Sequence, residues 1–508
     1  MIANAPTYRE LIERGARAHA DRIAMIVDGQ SFTFTEIDHR ANRLAQALVR
    51  SGTAKGTRVA VLLDNGPDTI PIDFAFAKAG LNKVPLNARL SREEHVRMVM
   101  EARCDFLLFG ASLAGRAMDL IAAIPGLSPL ALGGTSTKGH DIGAMADTQD
   151  PVPPLVAIDH DDIVLTLYTS GTTGVLKAAQ HTQASYAAIC RNVLLNLFPI
   201  QSDDRMLHAA SLIHASGTFV LPFWLRGACS VVLPAFALDT YLAAIQDHRV
   251  TAINLVPTMM QMLLDHSALN VADISSLRHI IYGASPMPRP LLERAIDQLG
   301  QKRFWQYYGQ TEAPLCITVL RPEDHTPERL SSCGRPSVDV DLRLLDENGQ
   351  DAGNGPGEVT VRMASSAAGY LNACNLSAQT FADGWVHTRD VGRIDRDGYL
   401  HLLDRTSDMI ITGGYNVYPR EVEDALLSHP AVLEAAVVGM PDVKWVEAIV
   451  AFVVVRGGQE IDEASLVAHV ATQIASYKKP NRIVFIAGLP KTAIGKMDRK
   501  ALRRRAYN

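Results

Sequence analysis

The stretch Tyr-Thr-Ser-Gly-Thr-Thr-Gly at residues 168–174, followed by Lys177, is the most unusual segment of the chain. It comes directly after an apolar run at residues 163–168, which is typical of a buried strand. Glycines let a backbone turn tightly and place its N–H groups on phosphate oxygens, and the hydroxyls and the lysine add donors. The spacing is not that of the Walker loop. We interpret the segment as a phosphate-binding loop rather than a flexible surface loop.

The chain before this loop alternates strand and helix patterns. Residues 58–63 and 104–109 are predicted strands, and residues 68–78 are a predicted helix ended by Gly80. Ser91 and Glu94 form a capping-box pattern. Residues 32–34 lead into Thr35, which we take as the N-cap of a helix that stops at Gly52. This alternation predicts parallel sheets covered by helices.

The chain changes character twice after its first 150 residues. Residues 151–154 have the composition of a surface connection, and residues 383–403 are rich in turns. From about residue 404 the pattern is that of a compact α+β unit. Its predicted helices are residues 419–427 and 463–477, and its predicted strands are residues 432–439 and 448–455.

The bulk composition is that of a soluble globular protein of 508 residues with more than one domain. A formal net charge of −5 argues against a nucleic-acid-binding protein. The six cysteines form no CxxC pair, which fits a reducing compartment and argues against a zinc site of that kind. We see neither a signal peptide nor a membrane span, so we expect a cytoplasmic protein. A homodimer is the base-rate expectation for such an enzyme.

Three further motifs carry groups suited to a nucleotide. They are Gln306-Tyr-Tyr-Gly-Gln-Thr-Glu312, the pair Thr388-Arg-Asp390 and Asp404-Arg405, and Pro490-Lys-Thr-Ala-Ile-Gly-Lys496. Together with the loop at 168–174, they resemble in order and spacing the motifs of the adenylate-forming superfamily, which holds acyl-CoA synthetases, peptide-synthetase adenylation domains and luciferases. The resemblance covers nearly the whole chain and is greatest to bacterial acyl- and aryl-CoA ligases.

The resemblance implies an α/β fold with two domains. The N-terminal domain, residues 1–403, would contain helix-covered sheets and a distorted small barrel. The C-terminal domain, residues 404–508, would be a small, mobile α+β unit that carries the catalytic lysine.

The resemblance also implies roles for individual residues. Glu312 would hold Mg²⁺, for which a carboxylate is a suitable hard ligand. Lys496 would offset the repulsion between carboxylate and α-phosphate, although a basic tail follows it. The implied catalytic residues are Thr311, Glu312, Lys496 and His214, the last of which could instead be a core histidine. The implied nucleotide-binding residues are Thr169, Ser170, Gly171, Thr172, Thr173, Gly174, Lys177, Gly283, Ala284, Ser285, Gln306, Tyr307, Tyr308, Gly309, Asp390 and Arg405.

Coenzyme A and the acid are assigned to other segments. Gly414 lies in a segment that resembles the family loop near the path of the pantetheine arm. Trp445, Tyr477 and Lys479 match positions that hold the CoA nucleotide in some aryl-CoA ligases. A packed tryptophan and a solvated lysine pair are the alternatives. Residues 211–217, 256–257 and 283–286 would surround the acid. Their mostly apolar character predicts an uncharged aliphatic or aromatic acid.

Several positions depart from the family pattern: Leu176, Ala178, Arg389, Asp404, Ser407 and Val446. Four of these replace glycines, which removes backbone freedom or close approach. Ser407 stands where the family has a charged hinge residue. The nucleotide residues are kept, so the departures bear on the second half-reaction.

The sequence therefore predicts an ATP-dependent acid–thiol ligase that forms acyl-CoA, AMP and pyrophosphate through an acyl-adenylate, with ATP, Mg²⁺ and coenzyme A. One alternative passes the acyl group to an amine or a carrier-protein thiol. Another is a catalytically silent nucleotide-binding regulator on the same fold.

Overall fold

The structure is a computed structural model that describes residues 5–133, 140–170, 176–213, 215–353, 355–405, 408–412, 415–442, 444–492 and 497–506. Two large sheets, flanked by helices, form most of the chain, and the cores lie between sheet and helices. Within the described residues, no helix has the length and apolar character needed to cross a membrane.

The largest sheet has nine strands, and its neighbouring strands are parallel except at its two edges. In spatial order its strands are Arg335–Pro336, Ala313–Leu320, Phe304–Gln310, His279–Gly283, Ala252–Leu255, Arg205–His208, Cys229–Val232, Ile23–Val27 and Gln30–Thr33.

The second sheet has eight strands, and its parallel part agrees with the alternation of strand and helix patterns in the sequence. In spatial order its strands are Gly369–Tyr370, Leu176–Thr182, Ile163–Ser170, Asn82–Pro85, Arg58–Leu62, Phe106–Gly110, Ser128–Leu132 and His140–Asp141. The strand that contains the apolar run at residues 163–168 continues to Ser170 and pairs antiparallel with Leu176–Thr182. The predicted phosphate loop therefore joins two antiparallel strands.

Two smaller sheets complete the fold. One is a four-stranded antiparallel sheet with the strands Asp341–Leu345, Gly357–Arg362, Val386–Ile394 and Leu400–Arg405. The C-terminal sheet has the strands Tyr415–Val417, Ile410–Thr412, Val446–Val455 and Val432–Asp442, with Arg482–Phe485 parallel to Val446–Val455.

The helices cover these sheets. Those before residue 404 are Tyr8–Ala18, Phe34–Arg50, Thr69–Ala79, Arg92–Glu101, Ala114–Ala123, Ile142–Asp147, Gln183–Asn196, Val220–Leu225, Leu238–Asp247, Pro257–Asp265, Arg289–Leu299 and Cys374–Thr380. The later ones are Pro419–Leu427, Glu463–Gln473 and Arg499–Ala506. Short 3₁₀ turns are Ala111–Leu113, Ala215–Phe219, Ser267–Asn270, Gln301–Arg303, Pro322–Asp324, Ala382–Gly384 and Ser476–Lys478.

Local sequence patterns placed most helix boundaries correctly. The capping box of Ser91 and Glu94 is present, because each side chain accepts a hydrogen bond from the other's backbone N–H. Pro419 opens its helix at the first turn, where a missing N–H costs nothing.

Two predicted boundaries are wrong. The N-cap of the second helix is Thr33, not Thr35, because Thr33 forms a capping box with Glu36 and Phe34 is fully buried. Thr35 instead donates its hydroxyl to the carbonyl of Ala20 at 3.0 Å. The helix predicted to reach residue 477 ends at Gln473, because Ile474 is extended with φ −135°.

Candidate nucleotide and metal site

The family resemblance implies that Tyr308 lies against adenine and that Asp390 and Arg405 bind the ribose, and the first two of these residues meet in the structure. Tyr308 lies on the strand Phe304–Gln310 and Asp390 on Val386–Ile394, and both are buried. The Tyr308 hydroxyl donates a hydrogen bond of 2.6 Å to Oδ2 of Asp390. Burial, with the Asp390 charge second, raises the pKa of Tyr308 well above its usual value, so the phenol stays a donor. Two residues far apart in sequence thus form one polar pair.

The backbone around Asp390 is fixed on both sides. Thr388 donates its hydroxyl to the carbonyl of Val359 at 2.6 Å and accepts from the N–H of Asp390 at 3.1 Å. Asp390 pairs with Arg405 across the two antiparallel strands of the small sheet. This pairing brings the backbones of the two residues assigned to the ribose together. The side chain of Arg405 lies outside the described residues.

The carboxylate of Glu312 has a buried partner that the sequence did not indicate. The hydroxyl of Tyr370 donates to Oε1 of Glu312 at 2.6 Å, and both residues are less than a tenth exposed. Tyr370 pairs through its backbone with Ala179 beside the predicted phosphate loop. The ammonium of Lys177 lies 5.8 Å from the centre of the Tyr370 ring, within the range of a cation–π contact. Tyr370 therefore lies between the metal candidate and the phosphate candidate.

Thr311 is held through its backbone. The Nε2–H of His181 donates to the carbonyl of Thr311 at 2.9 Å, which leaves Nδ1 of His181 facing the Ser185 hydroxyl at 3.4 Å. Burial lowers the pKa of His181 to about 4, so the imidazole is neutral near pH 7. The sequence did not single out His181, since a histidine inside a strand carries no local mark of such a role.

Two glycines are required where site strands approach. A Cβ on Gly283 would lie 2.5 Å from the carbonyl oxygen of Tyr307, and a Cβ on Gly309 would collide with the carbonyl of Leu315. Glycine is the only residue that permits these approaches. Ala284, next along, has φ +62° and is exposed, while Ser285 is half-buried. Tyr307 is buried, and its ring packs edge-on against Phe219 with centroids 6.1 Å apart.

The remaining nucleotide candidates lie at the edges of this site. Oε1 of Gln306 is 3.3 Å from the Tyr282 hydroxyl on the neighbouring strand. The hydroxyl of Thr169 is 3.5 Å from the carbonyl of Lys177, its cross-strand partner. Several predicted positions lie outside the described residues: Gly171, Thr172, Thr173, Gly174, His214, Ser407, Gly414, Lys496 and the side chain of Ser170.

The C-terminal α+β unit presents aromatic side chains at its surface. The rings of Tyr415 and Tyr477 lie 4.6 Å apart at 30°, and both are exposed. Trp445 is 40% exposed and lies under the ammonium of Lys444 at 4.6 Å. Lys479 is exposed, whereas Lys478 is bound to Glu421 at 2.6 Å. The exposure of Trp445 rules out the alternative of a core tryptophan.

Two of the glycine replacements lie in left-handed backbone. Arg389 has φ +61° and Val446 has φ +73°. Side chains other than glycine adopt this region at a cost, and a β-branched residue is the most strained there. The backbone thus keeps a conformation suited to glycine although the residue has changed.

This fold and its motifs define an adenylate-forming enzyme, whose strands bring together the residues that the motifs assign to adenine, ribose and a metal. The chain belongs to the family of AMP-binding enzymes: its model matches residues 12–371, and the model of the AMP-binding enzyme C-terminal domain matches residues 421–496.

Several relatives and solved structures resemble the chain over nearly its whole length. A medium/long-chain-fatty-acid–CoA ligase, FadD8, of Mycobacterium tuberculosis is 35% identical, covering 100% of this chain and 91% of the relative. A feruloyl-CoA synthase of an Amycolatopsis species is 36% identical over 97% of both chains. The structure of the amide bond synthetase McbA from Marinactinospora thermotolerans superposes with a TM-score of 0.91 at 32% identity, covering 98% and 99% of the two chains. The predicted fold, family and AMP-forming ligase class are confirmed.

Proposed function

We propose that the protein activates an uncharged aliphatic or aromatic carboxylic acid with ATP and transfers the acyl group to coenzyme A. The observation that carries the proposal is the buried hydrogen bond between Tyr308 and Asp390, which joins the aromatic group assigned to adenine with the carboxylate assigned to ribose. A carboxylate is a good acceptor for two vicinal hydroxyls, and an aromatic face stacks on a purine. The pair supports binding of an adenine nucleoside at this position.

In the first half-reaction, an oxygen of the acid attacks the α-phosphorus of ATP, and pyrophosphate leaves with the electron pair of the broken P–O bond. Both reactants are anionic, so approach is repelled. Lys177 and Lys496 supply positive charge, and preorganised charge of this kind lowers the barrier. The backbone of Thr311, fixed by His181, would orient its side chain toward the α-phosphate.

Glu312 suits a magnesium ion. Within the described residues, no group of three histidine, cysteine or carboxylate side chains could hold a metal alone. Mg²⁺ is commonly bound by one or two carboxylates together with substrate phosphates. The carboxylate of Glu312 accepts from Tyr370 and has further acceptor sites with which it would hold the ion. Mg²⁺ would neutralise charge on the phosphate oxygens when bound with ATP.

In the second half-reaction, the thiolate of coenzyme A attacks the acyl carbon, and AMP leaves. We assign the exposed rings of Tyr415, Tyr477 and Trp445 to the nucleotide of coenzyme A, because aromatic faces accept adenine and nearby lysines attract phosphates. We keep the domain boundary between residues 403 and 404, as the family resemblance implies. Oδ2 of Asp404 accepts from the N–H of Arg420 at 3.1 Å, which ties the hinge to the small-domain helix.

The side chains of a segment assigned to the acid support a substrate with no charge beyond its carboxylate. Leu212 and Ile213 are buried in the segment assigned to the acid. Nδ1 of His208 is hydrogen-bonded to the hydroxyl of Ser216 at 2.9 Å, and burial lowers the pKa of His208 to about 3. A neutral imidazole and apolar side chains would not compensate a second charge on the substrate.

A second candidate is transfer to an amine. It is favoured by the likeness to the amide bond synthetase McbA, which extends over 98% of this chain. Both candidates share the adenylation step and differ in the acceptor.

The experiment is pyrophosphate release over a panel of aliphatic and aromatic acids, each with coenzyme A, with an amine, or with neither. Fast release that requires coenzyme A, with an acyl thioester found by mass spectrometry, supports the ligase. Full turnover with the amine and none with coenzyme A would select the amide-forming candidate. No release with any acid, despite AMP binding, would favour a silent regulator.

A further inference from the structure

We propose that Tyr370 is a positioning residue for the metal ion: its hydroxyl fixes the carboxylate of Glu312 in the orientation that receives Mg²⁺ with ATP. The inference rests on the proposed function in one respect, the assignment of Glu312 as the metal ligand. It adds a residue that lies outside the motifs quoted above from the sequence.

The hydrogen bond between the two residues is short and shielded. The Tyr370 hydroxyl lies 2.6 Å from Oε1 of Glu312, and both residues are less than a tenth exposed. A hydrogen bond to a charged acceptor in a buried position is stronger than one between neutral groups.

Tyr370 is itself held on three sides. Its backbone pairs with Ala179 in the sheet. Its N–H donates to the hydroxyl of Ser377 at 2.9 Å, on the adjoining helix. Its ring packs against Phe381 with centroids 5.5 Å apart. A donor fixed in this way costs little further ordering when it binds the carboxylate.

The same ring faces the phosphate side of the site. The ammonium of Lys177 is 5.8 Å from its centre, while the hydroxyl points to Glu312. Tyr370 thus lies between the ammonium of Lys177, which is assigned to phosphate, and the carboxylate of Glu312, which is assigned to the metal. Groups that orient metal ligands in this way typically contribute about 10- to 100-fold to metal affinity or activity.

The experiment measures ATP binding by calorimetry with saturating Mg²⁺ and with EDTA, in the absence of any carboxylic acid. The ratio of the two dissociation constants gives the gain in ATP affinity that is due to Mg²⁺. In Tyr370→Phe, which keeps the ring and removes the hydroxyl, the gain should fall by about tenfold. Binding of metal-free ATP should stay within about twofold, since the ring and the nucleotide residues are retained.

Tyr399→Phe is the matched control. In the wild type, the hydroxyl of the buried Tyr399 donates to Oδ1 of Asp324 at 2.7 Å, so its partner is a carboxylate other than Glu312. Both variants lose one tyrosine–carboxylate hydrogen bond, so a merely structural effect would appear in both. The gain due to Mg²⁺ should be unchanged in Tyr399→Phe.

Ser377→Ala offers a second variant should Tyr370→Phe not fold, because it loosens Tyr370 without removing the phenol. A gain due to Mg²⁺ that stays at the wild-type value in Tyr370→Phe, or in Ser377→Ala when that variant is the one measured, overturns the proposal. A Glu312→Gln variant that keeps the full gain overturns it at its premise. Neither result depends on the acid or its acceptor, so failure here is distinct from failure to make a thioester.

Discussion

The hydroxyl of Tyr308 donates a hydrogen bond of 2.6 Å to Oδ2 of Asp390, although the residues lie on strands of different sheets. The bond joins the large nine-stranded sheet to the small antiparallel one. It also sets the distance between the groups assigned to adenine and ribose. Changes to either residue should therefore appear in nucleotide binding before they appear in the chemistry.

We expect Tyr308→Phe to weaken ATP binding by about tenfold, because a hydrogen bond to a charged group contributes roughly 1.5–3 kcal/mol and Asp390 would lose its fixed orientation. The aromatic face remains, so adenine can still stack. Calorimetric titration with ATP measures the effect, with Tyr399→Phe as the control for loss of a buried tyrosine hydroxyl. Wild-type affinity in Tyr308→Phe would contradict the assignment.

Lys496→Ala should slow adenylate formation by about 100-fold or more, since a preorganised positive charge at the reacting phosphate is removed. Thioester formation from supplied acyl-adenylate should remain, because no bond to the α-phosphorus forms in that step. Rapid-quench assays of the two half-reactions measure the split. Lys500→Ala, in the helix Arg499–Ala506, is the control for loss of a nearby lysine. Equal loss in both steps would refute the role.

Val446→Gly should stabilise the protein although it removes a side chain. Val446 has φ +73° and is 66% exposed, so little packing is lost. Relief of left-handed strain, about 1–2 kcal/mol, exceeds the entropic cost of glycine, about 0.5–1 kcal/mol. Urea unfolding should give a gain in the free energy of unfolding.

Ile411→Gly is the comparison for that substitution. Ile411 is an exposed residue of the neighbouring strand, and its φ is not positive. It should lose stability on becoming glycine. A loss of the same size in Val446→Gly would show that the left-handed backbone is not strained.

Buried histidines should make the protein less stable in mild acid. Burial lowers the pKa of His325 to about 4. The neutral ring uses both nitrogens, because its Nδ1–H donates to the Arg321 carbonyl and its Nε2 accepts from the Tyr282 hydroxyl. The imidazole of His325 becomes protonated near pH 6.5 in the unfolded chain but only near pH 4 in the folded protein. The free energy of unfolding therefore falls as the pH drops through that window.

The contribution of His325 is about 2 kcal/mol between about pH 7.5 and about pH 5. Urea unfolding at both pH values should therefore show a smaller loss in His325→Gln than in the wild type. An identical loss in the two proteins would mean that His325 is not held neutral.

The sequence predicted features that depend on local chemistry. The capping box at Ser91 and the helix opened by Pro419 were found because each pattern satisfies its own backbone groups. Thr33 and Thr35 are both plausible caps, and the choice depended on burial of Phe34 in the core, which is a tertiary effect.

Candidate site residues could be named from the sequence where they stand in motifs. Tyr308, Asp390 and Glu312 were identified in this way, but their hydrogen bonds were not, because those join strands distant in sequence. Tyr370 and His181 were missed, since nothing near them in sequence marks them. The replaced glycines were noticed from the family pattern, and the positive φ of Arg389 and Val446 gives the physical reason for glycine there.

The most direct measurement follows an isotope from the acid into AMP. A carboxylic acid labelled with ¹⁸O in both oxygens is incubated with the enzyme, ATP, Mg²⁺ and coenzyme A, and the products are analysed by mass spectrometry. If the acid oxygen attacks the α-phosphorus, AMP carries one ¹⁸O and the thioester carries the other. Unlabelled AMP, or formation of ADP and phosphate instead of AMP and pyrophosphate, would contradict adenylation at this site.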